Sequence, residues 1–163
     1  SKTWVNRNFM YPHLLATHNA LRWVFLVFIL ISLVQSYSGW LGNKKYTKSA
    51  NLFKTLTVST IHLQFIVGLI LYFVSPLVAG FLDDVGGSMK NKELRFFGLE
   101  HALMMLMAVV FVTIGSAKSK RQATDIAKYK TVAIWFTIAL VLILVAVPSE
   151  FSPMNWRPNF RGF

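Results

Sequence analysis

Apolar and polar residues are segregated along this chain into long blocks and do not alternate at short period. Four apolar runs, roughly Leu14–Tyr37, Leu56–Ser75, Phe96–Ala117 and Thr131–Val147, hold most of the sequence. A bilayer core of ~30 Å takes about 20 helical residues to cross, and each run comes close to that. Backbone polar groups in lipid must bond within their own segment, so runs of this kind predict helices. A soluble bundle would carry polar outer faces, whereas these runs are apolar nearly all round. The pattern predicts an all-α protein: a four-transmembrane-helix, up-down-up-down bundle over residues 14–148. The first run is too long for a cleavable signal peptide and no small-residue cleavage site follows it, so it reads as a retained span.

Polar punctuation sets the remaining boundaries. Residues 1–13 predict an interfacial lead with Trp4, Phe9 and Tyr11 as anchors, and Pro12 and Thr17 as start signals for the first helix. Trp40 with Gly39 and Gly42 marks its exit. Ser75-Pro76 ends the second helix, because proline cannot extend it. Residues 77–95 carry Gly86-Gly87 and mixed charge and predict a loop with one amphipathic turn. Pro148 stops the fourth helix. Residues 149–163 form an aromatic and basic tail whose Trp156, Phe160 and Phe163 suit a membrane surface or a neighbouring protein.

Charge refines this picture. The net charge of +11 invites a nucleic-acid reading, but its distribution argues for a membrane. Lys44, Lys45, Lys48 and Lys54 follow the first run with no acid. Lys118, Lys120, Arg121, Lys128 and Lys130 follow the third against Asp125 alone. The opposite side holds Asp83, Asp84, Glu93, Glu100 and Glu150. This bias predicts cytoplasmic lysine-rich loops, periplasmic termini, a bacterial inner membrane, and contact with anionic lipid in place of nucleic acid. The absence of cysteine removes disulfides, thiolate metal sites, cysteine-held iron–sulfur clusters and c-type haem attachment.

An ionisable residue within a span is a functional hypothesis by default. His13 precedes the first span and reads as interfacial. His18 opens the first helix, with Arg22 one turn below on the same face. His101 opens the third helix, which runs the same way, so the two histidines share a depth. His62 lies about two turns from Lys54, at the other end of the membrane, roughly 10–15 Å from the level of His101. Paired imidazoles on facing helices are what haem iron takes as axial ligands. His18 and His101 are the better matched pair, His62 the second choice, and Arg22 a partner for a propionate. Gly98 and Ala108 would leave room for the macrocycle. The competing reading is interhelical hydrogen bonding, with Ser32, Gln35, Ser59, Thr60, Gln64, Thr113 and Thr137 as partners. Glu100 beside His101 could form an outer proton relay, but no carboxylate lies deeper to continue it. Met104, Met105 and Met107 read as flexible apolar filling. A faint repeat pairs "THNAL" with "EHAL" and "FKT" with "YKT", which would make His18 and His101 equivalent positions.

The strings "THNALRW", "SGWLGNKKYTK", "IHLQFIVGLILYFVSP", "LRFFGLEHALMM" and "TIGSAKSKR" resemble a family of small four-helix membrane proteins of Bacteroidota, whose members are often labelled cytochrome b. The resemblance spans roughly Leu14 to Val147. It implies haem b held by two of His18, His62 and His101, electron transfer, a quinone as redox partner, and association with other subunits of a respiratory membrane complex. The alternative from another class is a cofactor-free accessory subunit of such an assembly.

Overall fold

A computed structural model describes the backbone of residues 2–147 and the side chains of residues 9–147; the expected C-terminal tail and the Trp4 anchor lie outside that range. The described chain holds helices and no strand. The elements are α1 (Lys2–Leu41), α2 (Lys48–Val74), α3 (Pro76–Asp83), α4 (Val85–Ser88), α5 (Lys92–Arg95), a π-helical turn (Phe96–Glu100), α6 (His101–Lys120) and α7 (Asp125–Ala146). Four stretches, Phe9–Leu41, Lys48–Val74, Lys92–Lys120 and Asp125–Ala146, are long and apolar enough to cross a membrane. The chain is a multi-pass membrane protein built as a four-helix bundle. α1 packs on α2 and α7, and α6 packs on α7 and α2, so α1 and α6 face each other across the diagonal.

Lipid is as apolar as leucine, so burial of apolar surface does little to drive these helices together, and close packing carries the assembly. Small residues sit where helices approach most closely. Gly39 of α1 lies against the Tyr129 ring of α7, and Gly115 of α6 lies against Trp135 of α7. Phe25, Ile29, Val112 and Phe136 fill the centre. The outer faces expose Val27, Leu30, Val34, Ile66, Phe73 and Val141, as lipid requires. Both helices that follow the lysine-rich loops begin with a threonine cap: Thr47 accepts from the Ala50 amide and Thr124 from the Ala127 amide. Such a cap contributes about 1 kcal/mol.

Several helices extend past their expected ends. α1 starts at Lys2, ahead of the start signals at Pro12 and Thr17. Pro12 removes one backbone donor, and a helix tolerates that single loss without ending. The segment 77–95 forms three short helices, because side-chain caps satisfy each new start: Ser75 for α3, Asp84 for α4 and Asn91 for α5. α2 and α7 start earlier than their apolar runs, which turns Lys54, Lys128 and Lys130 from loop cations into helical ones. Lys54 is only 1% exposed. The "FKT"/"YKT" correspondence loses its phase here, since Lys54 is buried and Lys130 is exposed.

At the lysine-rich end, Tyr46 lies between two ammonium groups, with Lys54 Nζ 5.8 Å and Lys128 Nζ 5.5 Å from its ring centre. Burial pushes the Tyr46 phenol up from its ordinary value, which keeps it neutral beside them.

Candidate functional site

The end of the bundle opposite the lysines holds a cavity of about 450 Å³. This is within the ~300–1,000 Å³ span of small-molecule sites. His18 and Arg22 enter it from α1, Gln64, Gly68 and Tyr72 from α2, and His101 from α6; the rest of its wall is mostly apolar. The rings of His18 and His101 meet across the diagonal, with centres 6.5 Å apart and planes at 75°.

Each histidine is positioned by a different device. The π-helical turn inserts before His101, whose backbone N–H bonds the Phe96 carbonyl five residues back. Such bulges recur at functional sites because they shift the following side chains around the axis. Phe96 and Phe97 then pack beside the His101 ring, at 5.6 and 6.2 Å between centres. His101 Nδ1 lies 2.7 Å from the carbonyl of Ala146 at the end of α7. A carbonyl only accepts, so Nδ1 carries the proton and Nε2 keeps its lone pair. That carbonyl is one of the last four in its helix and has no intrahelical donor of its own.

His18 is held through its backbone: Gln64 Nε2 donates to the His18 carbonyl at 2.8 Å. Gly68, one turn on, makes room for the ring, since a Cβ there would lie 3.1 Å from His18 Cε1. Tyr72 continues the stripe and donates to the Gly98 carbonyl at 2.8 Å. Gln64, Gly68 and Tyr72 are spaced by four, the spacing of one helix face. That spacing is the sequence signal that finds them, although the run reads at first as a uniformly apolar span.

Two buried polar atoms at this cavity, His18 Nδ1 and Gln64 Oε1, have no hydrogen-bond partner. Arg22 lies within electrostatic reach of both imidazoles, has no acidic partner among the described residues, and packs its guanidinium 5.3 Å from the Trp23 ring centre. An uncompensated cation and unpaired polar atoms inside a membrane cavity fit a polar, partly anionic occupant.

The donor set narrows what that occupant could be. Among the described residues no three His, Asp or Glu side chains gather as a metal cluster. Two imidazoles alone fall short of the three or four protein ligands that zinc requires. They match an iron whose remaining positions a macrocycle fills. A metal–imidazole bond is about 2 Å and the ring centre lies about 1 Å further back, which puts two axial imidazoles about 6 Å apart between centres. The observed 6.5 Å, with planes at 75°, is equally the spacing of an edge-to-face ring contact. The two imidazoles are the donor type that a haem would take.

Other expected positions resolve differently. His62 does not join the pair. Its Nε2 lies 2.8 Å from Thr113 Oγ1. That hydroxyl donates to the Val109 carbonyl at 2.7 Å, so His62 Nε2–H is the donor and is occupied. Thr113 lies twelve residues beyond His101, ~18 Å along α6 at 1.5 Å per residue. His62 is thus a staple between α2 and α6, which of the adjacent spans are in least contact. Replacing it with leucine should lower stability in detergent by about 1 kcal/mol, the scale of an interhelical bond in a membrane protein, and leave the histidine pair intact. A loss of cofactor in that variant would contradict this placement.

Gly98 lines the cavity, whereas Ala108 does not reach its wall. Gly98 is packed under the Phe81 ring and Ala108 is fully buried in the core. The Glu100 relay gives way to an ion pair, with Arg95 Nε 2.6 Å from Glu100 Oε1. Met105 lines the cavity wall and Met107 faces outward, as apolar filling would. His13 stays on the exposed face of α1 beside Phe9. Compared with family models, curated proteins and solved structures, the chain finds no match.

Proposed function

We propose that this protein is a b-type cytochrome of the membrane, in which His18 and His101 hold one haem b between α1 and α6. The observation that carries this is the facing pair of imidazoles, 6.5 Å apart in a largely apolar cavity, with no cluster of three His, Asp or Glu side chains among the described residues. The resemblance of "THNALRW" and "LRFFGLEHALMM" to cytochrome b-labelled proteins of Bacteroidota supports the same reading. Haem supplies one-electron redox chemistry when bound. The chain's part is to bind, orient and insulate. The Ala146 carbonyl fixes the His101 tautomer, as outer partners of ligating histidines do. Gln64 holds the His18 backbone. Leu71, Val78, Ile143 and Val147 keep water from the cavity. Arg22 provides the positive charge that a propionate would pair with.

On this reading the protein passes electrons between a quinol and a partner, as one component of a larger respiratory assembly. The lysine bias between its two ends supports an inner-membrane orientation with the lysine-rich loops in the cytoplasm.

Redox titration of the purified chain tests the proposal. The parent protein should show a b-type α-band on reduction. Arg22→Gln should keep the band and lower the midpoint potential, because removing a nearby positive charge favours the oxidised form. The expected shift is on the order of 50–100 mV, the scale of one unit charge over about 10 Å at an effective dielectric of about 20. A chain with no reducible chromophore after mild extraction overturns the reading in favour of a cofactor-free subunit.

A further inference from the structure

On the lysine-rich side of the His62–Thr113 bond, α2 and the end of α6 line an open groove of about 380 Å³. Val58, Thr113, Ser116, Ala117, Lys120 and Arg121 line it. We propose that this groove binds the phosphate of an anionic phospholipid. The inference is independent of the haem reading.

The groove has the chemistry of a phosphate ester attached to hydrocarbon. Lys120 ends α6 and Arg121 follows it, at the level where the helix leaves the membrane. Both are exposed and neither has an acidic partner among the described residues. Ser116 is 7% exposed, lines the groove, and its hydroxyl makes no hydrogen bond within the described chain. Thr113 offers no free donor, because its hydroxyl proton goes to Val109. Ser116 is therefore the hydroxyl donor available to an acceptor in the groove.

A second observation concerns charge. Lys54 is almost fully buried and lies within electrostatic reach of Lys120 and Lys128. Three cations are thus held near one another with no acidic partner. A phosphate held by Lys120 and Arg121 would lower the positive potential to which Lys54 and Lys128 add. The apolar wall of Val58 and Ala117, with Ile66 and Val110 exposed to lipid nearer the membrane centre, favours a lipid over a free anion. Basic clefts between membrane helices hold anionic headgroups in this way.

The test follows lipid retention on the purified full-length chain by native mass spectrometry. Phosphatidylglycerol, phosphatidylcholine and inorganic phosphate are titrated separately. Phosphatidylglycerol should bind in preference to phosphatidylcholine, and millimolar phosphate should not displace it. The double variant Lys120→Gln/Arg121→Gln should weaken that binding roughly thirtyfold, since each basic residue near anionic lipid contributes a factor of about five. The charge-conserving variant Lys120→Arg/Arg121→Lys should restore it, which separates lost charge from lost fold. Lys44→Gln/Lys45→Gln, in the neighbouring loop, should change it about twofold at most. Equal loss in the loop variant means diffuse surface charge and overturns the site. Full displacement by phosphate shows a small-anion site and overturns the lipid. Equal retention of phosphatidylcholine overturns both.

Discussion

His18→Ala and His101→Ala should each abolish the reduced b-type absorption expected of the parent chain. Each removes one of two axial imidazoles, and no other histidine can replace it. His62 is ~18 Å away along the bundle and its Nε2–H is committed to Thr113. His13 lies on the exposed face of α1. Loss of even an outer partner of a ligating histidine costs about 10–100-fold in affinity, so loss of the ligand itself should exceed that. The two variants should differ in stability. His101→Ala also leaves the Ala146 carbonyl without its donor, at about 1–3 kcal/mol for an unsatisfied buried group. His18→Ala removes a side chain whose Nδ1 has no partner, so it should cost less fold stability. Reduced-minus-oxidised spectra, normalised to helical circular dichroism, read both effects. Full-strength bands in either variant would mean that the pair does not ligate.

Gly39→Leu should be strongly destabilising. A Cβ at Gly39 meets the Tyr129 ring, and Tyr129 is 3% exposed. The ring cannot swing aside freely, because its hydroxyl donates to the Lys45 carbonyl at 3.0 Å and accepts from the Thr47 amide at 3.3 Å. Those bonds close the first lysine-rich loop over α7. Overpacking costs about 1–3 kcal/mol, and each broken hydrogen bond adds about 1 kcal/mol. The sum, about 3–5 kcal/mol, is a large share of a stability of about 5–15 kcal/mol. Gly86→Ala is the control, since a Cβ there meets only Asp84 Oδ1 at 3.9 Å. Denaturant titration in mixed micelles should place the first variant well below the parent and the second within about 0.5 kcal/mol of it. Equal stability of the two would contradict the close approach of α1 to α7.

The four spans were legible because lipid forces apolar runs of fixed length. The matched depth of His18 and His101 was legible for a similar reason, as both open helices that run the same way. What brings their rings together was not. The π-helical turn at Phe96–Glu100 leaves no composition signal, and the Ala146 carbonyl that orients His101 comes from 45 residues away. Gly68 was hidden in a span that looks apolar throughout, although its spacing by four from Gln64, already a hydrogen-bonding candidate, was there to be counted. Lys54 was misplaced because charge pattern gives the side of the membrane and says nothing of burial. Pro12 was over-read as a boundary, since one missing donor does not end a long helix. His62 kept two readings until a partner could be named; Thr113 belongs to another helix, 51 residues on.

The central claim is that two imidazoles from α1 and α6 share one haem iron. Electron paramagnetic resonance of the oxidised, purified full-length chain tests it most directly. Two strong nitrogen ligands would make ferric iron low-spin, and ring planes crossed at 75° would leave its dxz and dyz orbitals nearly degenerate, giving a strongly anisotropic low-field signal. That signal, from one haem per chain, is the expected result. A high-spin ferric signal would show that only one of the two histidines reaches iron, and a sample without haem signal would contradict the account altogether.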